Sequence, residues 1–405
     1  MAYLTRLSLV TLLIIATLCG ANWFVDPFGM YWSPVVAGLN QIKPASGDRV
    51  RVTKAYRASE TRPEALIVGN SRAEMALYPG HPSFKGARVY NQAMPGAGIA
   101  LQTNYARNTL SASPELAHII MSVDYLDFLV PRAQFSALPR DEQLPDYLFR
   151  LPLFTPDWSG SLARAREKTA LLFSLDGLLA SLRTVIQQGV DANSIDRWGF
   201  NDPRGYIEIL QREGITTLFV QKLQELDRNM RSRDLVTINP ANGEGSADYA
   251  ALEDFLAEMS GRGIRVQLFI SPYHISYLHL LDDLGMTGDF LAWKRKLVQT
   301  VERVSPAIEL WDFSGPSSYI HEPVPADSRQ AMQWYWEPAH YRRVLGDKIL
   351  DTLASGTVRE GFGIRLTSAD IDGVTQASRQ QVVESRDAWL ALQRSLGIHI
   401  EPLSP

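Results

Sequence analysis

The apolar run Ala65-Leu66-Ile67-Val68-Gly69-Asn70 delivers the chain to Ser71, and helix-forming residues follow from Arg72 to Tyr78. The run is rich in branched residues and is stopped by glycine, as a short buried strand would be. A serine at such a strand-to-helix junction lies at the carboxyl edge of a sheet. There the positive end of the helix dipole favours negative charge developing on or near the hydroxyl. Far downstream, Trp336-Glu337-Pro338-Ala339-His340-Tyr341 sets a carboxylate three residues before a histidine. A serine hydroxyl is a weak nucleophile at neutral pH and needs a base to take its proton. Taken alone, a serine after a strand is more often a turn residue than a nucleophile. Its reading rests on what else the chain brings to the same edge.

A βα rhythm runs through the chain. Strands are expected at Ala65–Val68, at 87–91 and at 117–123, with a helix between the second and third ending near Leu110. The second strand ends in Asn91-Gln92-Ala93-Met94-Pro95-Gly96-Ala97-Gly98, and the third in Ser122-Val123-Asp124-Tyr125. A helix over 247–259 feeds a strand over 266–271, another over 290–304 feeds a strand over 308–313, and a helix over 341–354 closes the core. Strands alternating with helices predict an α/β domain over 61–360, with a parallel sheet covered on both faces. Residues 130–245 break the rhythm and read as an insertion on the carboxyl edge, a lid or a partner surface, with a helical stretch near 171–188. Residues 26–60 read as a membrane-proximal linker, and 361–405 as a tail holding one helix or a pair.

Residues 7–25 carry no charge. At 1.5 Å per residue, about 19 residues reach across most of a hydrocarbon core of roughly 30 Å. Arg6 precedes the run and Asp26 follows it, an asymmetry that places the N-terminus in the cytoplasm. The expectation is an uncleaved single-pass anchor (1–25) in a bacterial cytoplasmic membrane, with the rest of the chain in the periplasm or outside. The competing reading is a signal peptide cleaved after Ala21, since Cys19-Gly20-Ala21 supplies small residues. Leu18 ahead of Cys19 argues against a lipoprotein. Cys19 is the only cysteine, so the exported part has no disulfide and no thiol for metal binding or catalysis. With 40 Lys+Arg against 44 Asp+Glu and no long basic run, nucleic acid is not an expected partner.

Together, Gly69-Asn70-Ser71-Arg72, Asn91…Gly96 and Glu337-x-x-His340 resemble the SGNH (GDSL-like) hydrolase superfamily over about 65–125 and 245–355. One N-terminal anchor, an early serine and a late acid-x-x-His also resemble the layout of the D-alanyl transfer proteins of Gram-positive walls. The alginate O-acetylation proteins are similar in setting but not in motif order. The resemblance implies a three-layer sheet flanked by helices, with Ser71 as nucleophile and His340 as general base. Glu337 stands where the family has aspartate, and Glu322 or Asp327 on the same loop are rival acids. Ser71 and Gly96 N–H groups match oxyanion-hole donors, and Asp124 occupies the family's asparagine position. An ionised Asp124 repels an oxyanion. It donates only if burial raises its pKa; otherwise it faces elsewhere and leaves Tyr125 or Asn91 as the polar contact.

Asn70, Arg72, Asn91, Tyr125 and His274 are the expected substrate contacts. Asp312 is expected to be structural and His279 a satisfied helix residue; the two histidines have no third ligand at metal-binding spacing. Neither a metal nor a cofactor is expected. The function implied is a membrane-anchored serine acyl-transferase or acyl esterase acting on a cell-envelope polysaccharide, with a membrane-bound acyl-donor protein as a partner. The alternative is a non-catalytic scaffold or glycan-binding subunit of such an assembly.

Overall fold

The structure, a computed structural model, describes residues 2–135, 146–190, 192–325 and 329–402. Asp327 lies outside them. The chain is α/β, with one mostly parallel central sheet and one apolar N-terminal helix. It divides into two compact units, Met1–Arg62 with Arg107–Pro114 and Gln143–Glu208, and Pro63–Ala106 with Glu115–Glu142 and Ile209–Pro405.

The sheet belongs to the second unit. Its strands are β1 (Ala65–Val68), β2 (Val89–Asn91), β3 (His118–Val123), β4 (Arg265–Ile270), β5 (Glu309–Asp312) and β6 (Ile364–Arg365). In space they run β6-β5-β4-β3-β1-β2. All pairs are parallel except β5 with β6. β1 is buried along its whole length and β3 from its second residue, which is why both read as unbroken apolar runs rather than alternating ones. The expected strands are there: β1 has the expected bounds, β4 is shifted by one residue, and β2, β3 and β5 are one or two residues shorter. β6 was not expected: two exposed residues carry no periodicity to read.

The helices are α1 (Ala2–Val25), α2 (Val50–Thr61), α3 (Ser71–Ala76), α4 (Ile99–Ala112), α5 (Trp158–Phe173), α6 (Leu175–Ile186), α7 (Gly205–Arg212) and α8 (Ile215–Arg231). After them come α9 (Ala247–Gly261), α10 (Ile275–Asp283), α11 (Thr287–Val304), α12 (Arg343–Ser355), α13 (Ile371–Glu384) and α14 (Arg386–Leu396). The tail is thus a helix pair.

Two expectations change. The stretch 26–60 is folded rather than a bare linker. It contains most of α2, and the buried Asp26 carboxylate accepts from the Met30 and Trp32 N–H groups at 2.8 Å each. Lys43 Nζ reaches back to the Val25 and Asp26 carbonyls at 3.0 and 2.8 Å, closing the loop. Nor is 130–245 one insertion. Its Gln143–Glu208 part groups with the N-terminal unit, and the residues before and after that part group with the sheet.

Candidate active site

β1 has β2 on one side and β3 on the other. The chain leaves β1 in one direction and later returns to continue in the other, so a crevice opens at the carboxyl end of β1 where connections diverge. Ser71 stands there. Gly69 makes the approach possible: a Cβ would lie 2.9 Å from both the Ala73 and Ser122 Cβ atoms. Asn70 then caps α3, its Oδ1 accepting from Arg72 N at 3.0 Å. Ser71 is the first helical residue, so its own N–H has no acceptor within the helix.

The histidine arrives from a tight antiparallel pair, Tyr335–Glu337 with His340–Tyr341. Ser71 Oγ and His340 Nε2 are 2.8 Å apart. On the far side of the ring, Nδ1 contacts Glu337 Oε1, and Glu337 Oε2 accepts from Ala339 N at 2.6 Å. Glu337 is buried. Burial alone pushes its carboxyl up, but His340, Lys222 and the Ala339 N–H outweigh that and hold it below the usual carboxylate range. A carboxylate, an imidazole and a hydroxyl in that line can draw a proton off the hydroxyl and hold the imidazolium that results. The rival acid Glu322 is engaged elsewhere, accepting from the backbone N–H groups of Gln333 and Trp334.

Asp124 is not at the hydroxyl. It is fully buried, paired through Oδ2 with Arg72 Nη1, and its Oδ1 accepts from Leu126 N at 3.0 Å. Arg72 in turn donates from Nε to Ala339 O at 2.7 Å and lies 4.9 Å from the Tyr273 ring centre. The guanidinium therefore ties the helix that begins at Ser71 to the turn that carries His340. Two further expected contacts are structural. Asn91 Nδ2 holds the Ala73 and Leu77 carbonyls at 2.9 Å each, and Tyr125 is buried with its hydroxyl on Asp289 at 2.8 Å. His274 is buried between Ser276 Oγ and the Glu322 carbonyl, 2.8 Å from each, and lines a different cavity. As expected, Asp312 is buried in a pair with Lys294 at 2.7 Å. His279 is satisfied on one side only: Nε2 bonds Ser385 Oγ at 2.9 Å and the ring stacks on Trp389, while Nδ1 is buried without a hydrogen-bond partner.

Ser71 and His340 open on a cavity of about 480 Å³, walled also by Asn70, Gly96, Gly98, Asp127 and Asp248. From α8 come Lys222, Glu225 and Leu226. Asp127 accepts from Gln102 Nε2 at 2.9 Å and from Asn70 Nδ2 at 3.2 Å, while burial and the neighbouring Asp124 push its carboxyl well up. None of the α8 residues was foreseen, although a signal existed: Ile215, Leu218, Phe219, Leu223, Leu226 and Met230 recur at helical spacing, and all are buried. No protein-family model matches this chain, and no curated protein matches it.

The buried histidines make acid stability predictable. Burial pushes His274 and His279 down from 6.5 to about 4, with Arg386 adding to the effect at His279. The unfolded chain binds protons that these folded rings refuse, so both contributions are intact above pH 6.5 and are lost as pH falls from 6.5 toward about 4. The expected slope is about 1.4 kcal/mol per pH unit for each ring. Thermal unfolding across that window measures it, and His279→Gln should flatten it.

Proposed function

We propose that this chain is an SGNH-type serine hydrolase that moves an acyl group on or off a cell-envelope polysaccharide, with its site outside the cytoplasmic membrane. One observation carries the reading: Ser71 Oγ lies 2.8 Å from His340 Nε2, with the Glu337 carboxylate on the opposite ring nitrogen. In this reading Ser71 Oγ attacks the ester carbonyl while His340 takes its proton. The tetrahedral oxyanion is held by the N–H groups of Ser71 and Gly96. Its collapse breaks the ester bond, and His340 returns the proton to the leaving alcohol. The acyl group on Ser71 then passes to a sugar hydroxyl, giving transfer, or to water, giving hydrolysis.

The cavity wall favours a hydroxylated substrate over a lipid. Asn70, Asp127, Lys222, Glu225 and Asp248 all face it, and polar groups converging on a concave site fix orientation through hydrogen bonds. A membrane-bound acyl-donor protein is the partner that suits a transferase beside an anchor. The second reading, a glycan-binding subunit without catalysis, draws on Asp124. With that carboxylate on Arg72, Asp124 supplies no donor at the family's third oxyanion position.

A fluorophosphonate probe separates the two. The wild-type chain is expected to gain one adduct by intact mass, mapped to Ser71 by peptide sequencing. An unlabelled wild type that also leaves p-nitrophenyl acetate untouched overturns the enzyme reading in favour of the subunit.

A further inference from the structure

Within the N-terminal unit, α6 is built inside out. Its buried residues are the small and polar Gly177, Ser181 and Thr184, and its Leu175, Leu179, Leu182 and Ile186 are exposed. Those four leucine and isoleucine positions follow helical spacing, so they form one stripe. In water that stripe would turn inward. The small face packs instead on α1: Ser181 Oγ donates to Asn22 Oδ1 at 2.9 Å, and Asn22 Nδ2 donates to the Leu172 carbonyl at 2.9 Å. Small residues at the contact and polar groups bonded across it are how helices associate in lipid, where apolar side chains gain nothing by meeting each other.

The junction of α5 and α6 fits the same medium. The two helices meet at a bend of 56° and together are apolar enough for one broken span. Phe173 and Leu175, on either side of the bend, are 65% and 68% exposed. The backbone at the bend is satisfied internally: Ser174 Oγ accepts from Gly177 N at 2.9 Å and donates to the Leu171 carbonyl at 3.1 Å. That satisfaction is what irregular backbone needs away from water. The turn is tight, since a Cβ on Gly177 would fall 2.3 Å from the Leu171 carbonyl oxygen.

Its neighbours on α1 set its depth. Leu172, Phe173, Leu175 and Leu178 line a small cavity with Ile15 and Cys19 of α1. Cys19 lies about 9 Å, and Ile15 about 15 Å, along the helix axis from Val25. We infer that the α5–α6 elbow is a re-entrant membrane wedge, with acyl chains of the outer leaflet covering its Leu175–Leu179–Leu182–Ile186 face. This rests on α1 lying in a bilayer. The chain then grips the membrane at two places, and α1 has a protein partner there.

The test uses the full chain with Cys19→Ser, reconstituted in phosphatidylethanolamine/phosphatidylglycerol vesicles. An environment-sensitive dye is attached at Phe173→Cys or Leu179→Cys on the elbow, at Leu12→Cys on α1, or at Asp254→Cys on the exposed surface of α9. Doxyl-labelled lipid is expected to quench both elbow dyes as strongly as the Leu12 dye and to spare the Asp254 dye. If the Leu12 dye is quenched but both elbow dyes behave like the Asp254 dye, the wedge is overturned and the anchor stands. If no dye is quenched, the anchor reading fails and the wedge with it. Elbow dyes that are blue-shifted but unquenched would mean a protein covers this face, a second copy or a partner, which also overturns the wedge.

Discussion

Ser71→Ala is expected to remove turnover of an activated ester such as p-nitrophenyl acetate, by on the order of 10⁴-fold or more, while leaving thermal unfolding nearly unchanged. The side chain lies at the cavity, so losing one hydroxyl leaves no large void. His340→Ala should fall about as far, and the double variant no further, because groups that share one proton transfer fail as a unit. Glu337→Gln should fall less, by roughly two orders of magnitude, since the carboxylate orients the ring and stabilises its charge without taking the proton. Steady-state kinetics on the four proteins checks this pattern. A double variant whose loss is the sum of the two single losses, or a Ser71→Ala protein that still modifies glycan in cells, would remove Ser71 from the chemistry.

Asp124→Asn is expected to destabilise the fold by about 3–5 kcal/mol, because it strips one partner from a fully buried ion pair and leaves the Arg72 charge uncompensated. Ester turnover should drop as well, since Arg72 also holds the Ala339 carbonyl beside His340. Taking out both charges, as Arg72→Met with Asp124→Leu, should recover most of the stability. It should not recover the activity, because Ala339 O then loses its donor. Denaturant unfolding read beside kcat separates the two effects. A stable Asp124→Asn protein with raised turnover would instead return this carboxylate to the oxyanion hole.

The outcome at Asp124 marks where the sequence stops being legible. β1 and β3 were readable because both faces of a parallel strand are buried, which leaves an unbroken branched run with a clear end. The end of β3 was therefore placed well, and Asp124 with it. Which way its carboxylate turns depends on Arg72, a residue 52 positions earlier that meets it only when β1 and β3 pair. Asn91 and Tyr125 failed as contacts for the same reason: a strand end names the residues at an edge, not those that face the crevice. The Glu337–His340 contact was legible because its geometry is local, a turn of two residues between acid and base. At 171–188 a helix was visible, but the break was not. Ser174 reads as an ordinary helix residue until its hydroxyl is seen capping α6. The 26–60 stretch misled because its order comes from Asp26 and Lys43 bonding backbone groups, which leaves no periodic pattern.

Ser71 and His340 are 269 residues apart in the chain. A polypeptide threaded outward from its N-terminus presents the hydroxyl early, with β1, but gains the imidazole only after β4 and β5 have crossed. Until then, on the proposed reading, the serine faces the envelope with no base beside it, and a chain stalled or clipped before His340 is chemically silent. On the proposed reading no propeptide is needed to keep the newly exported protein from attacking esters in transit. In that reading translocation of the Glu337–His340 turn is itself the activating step, and it comes when that turn docks against α3.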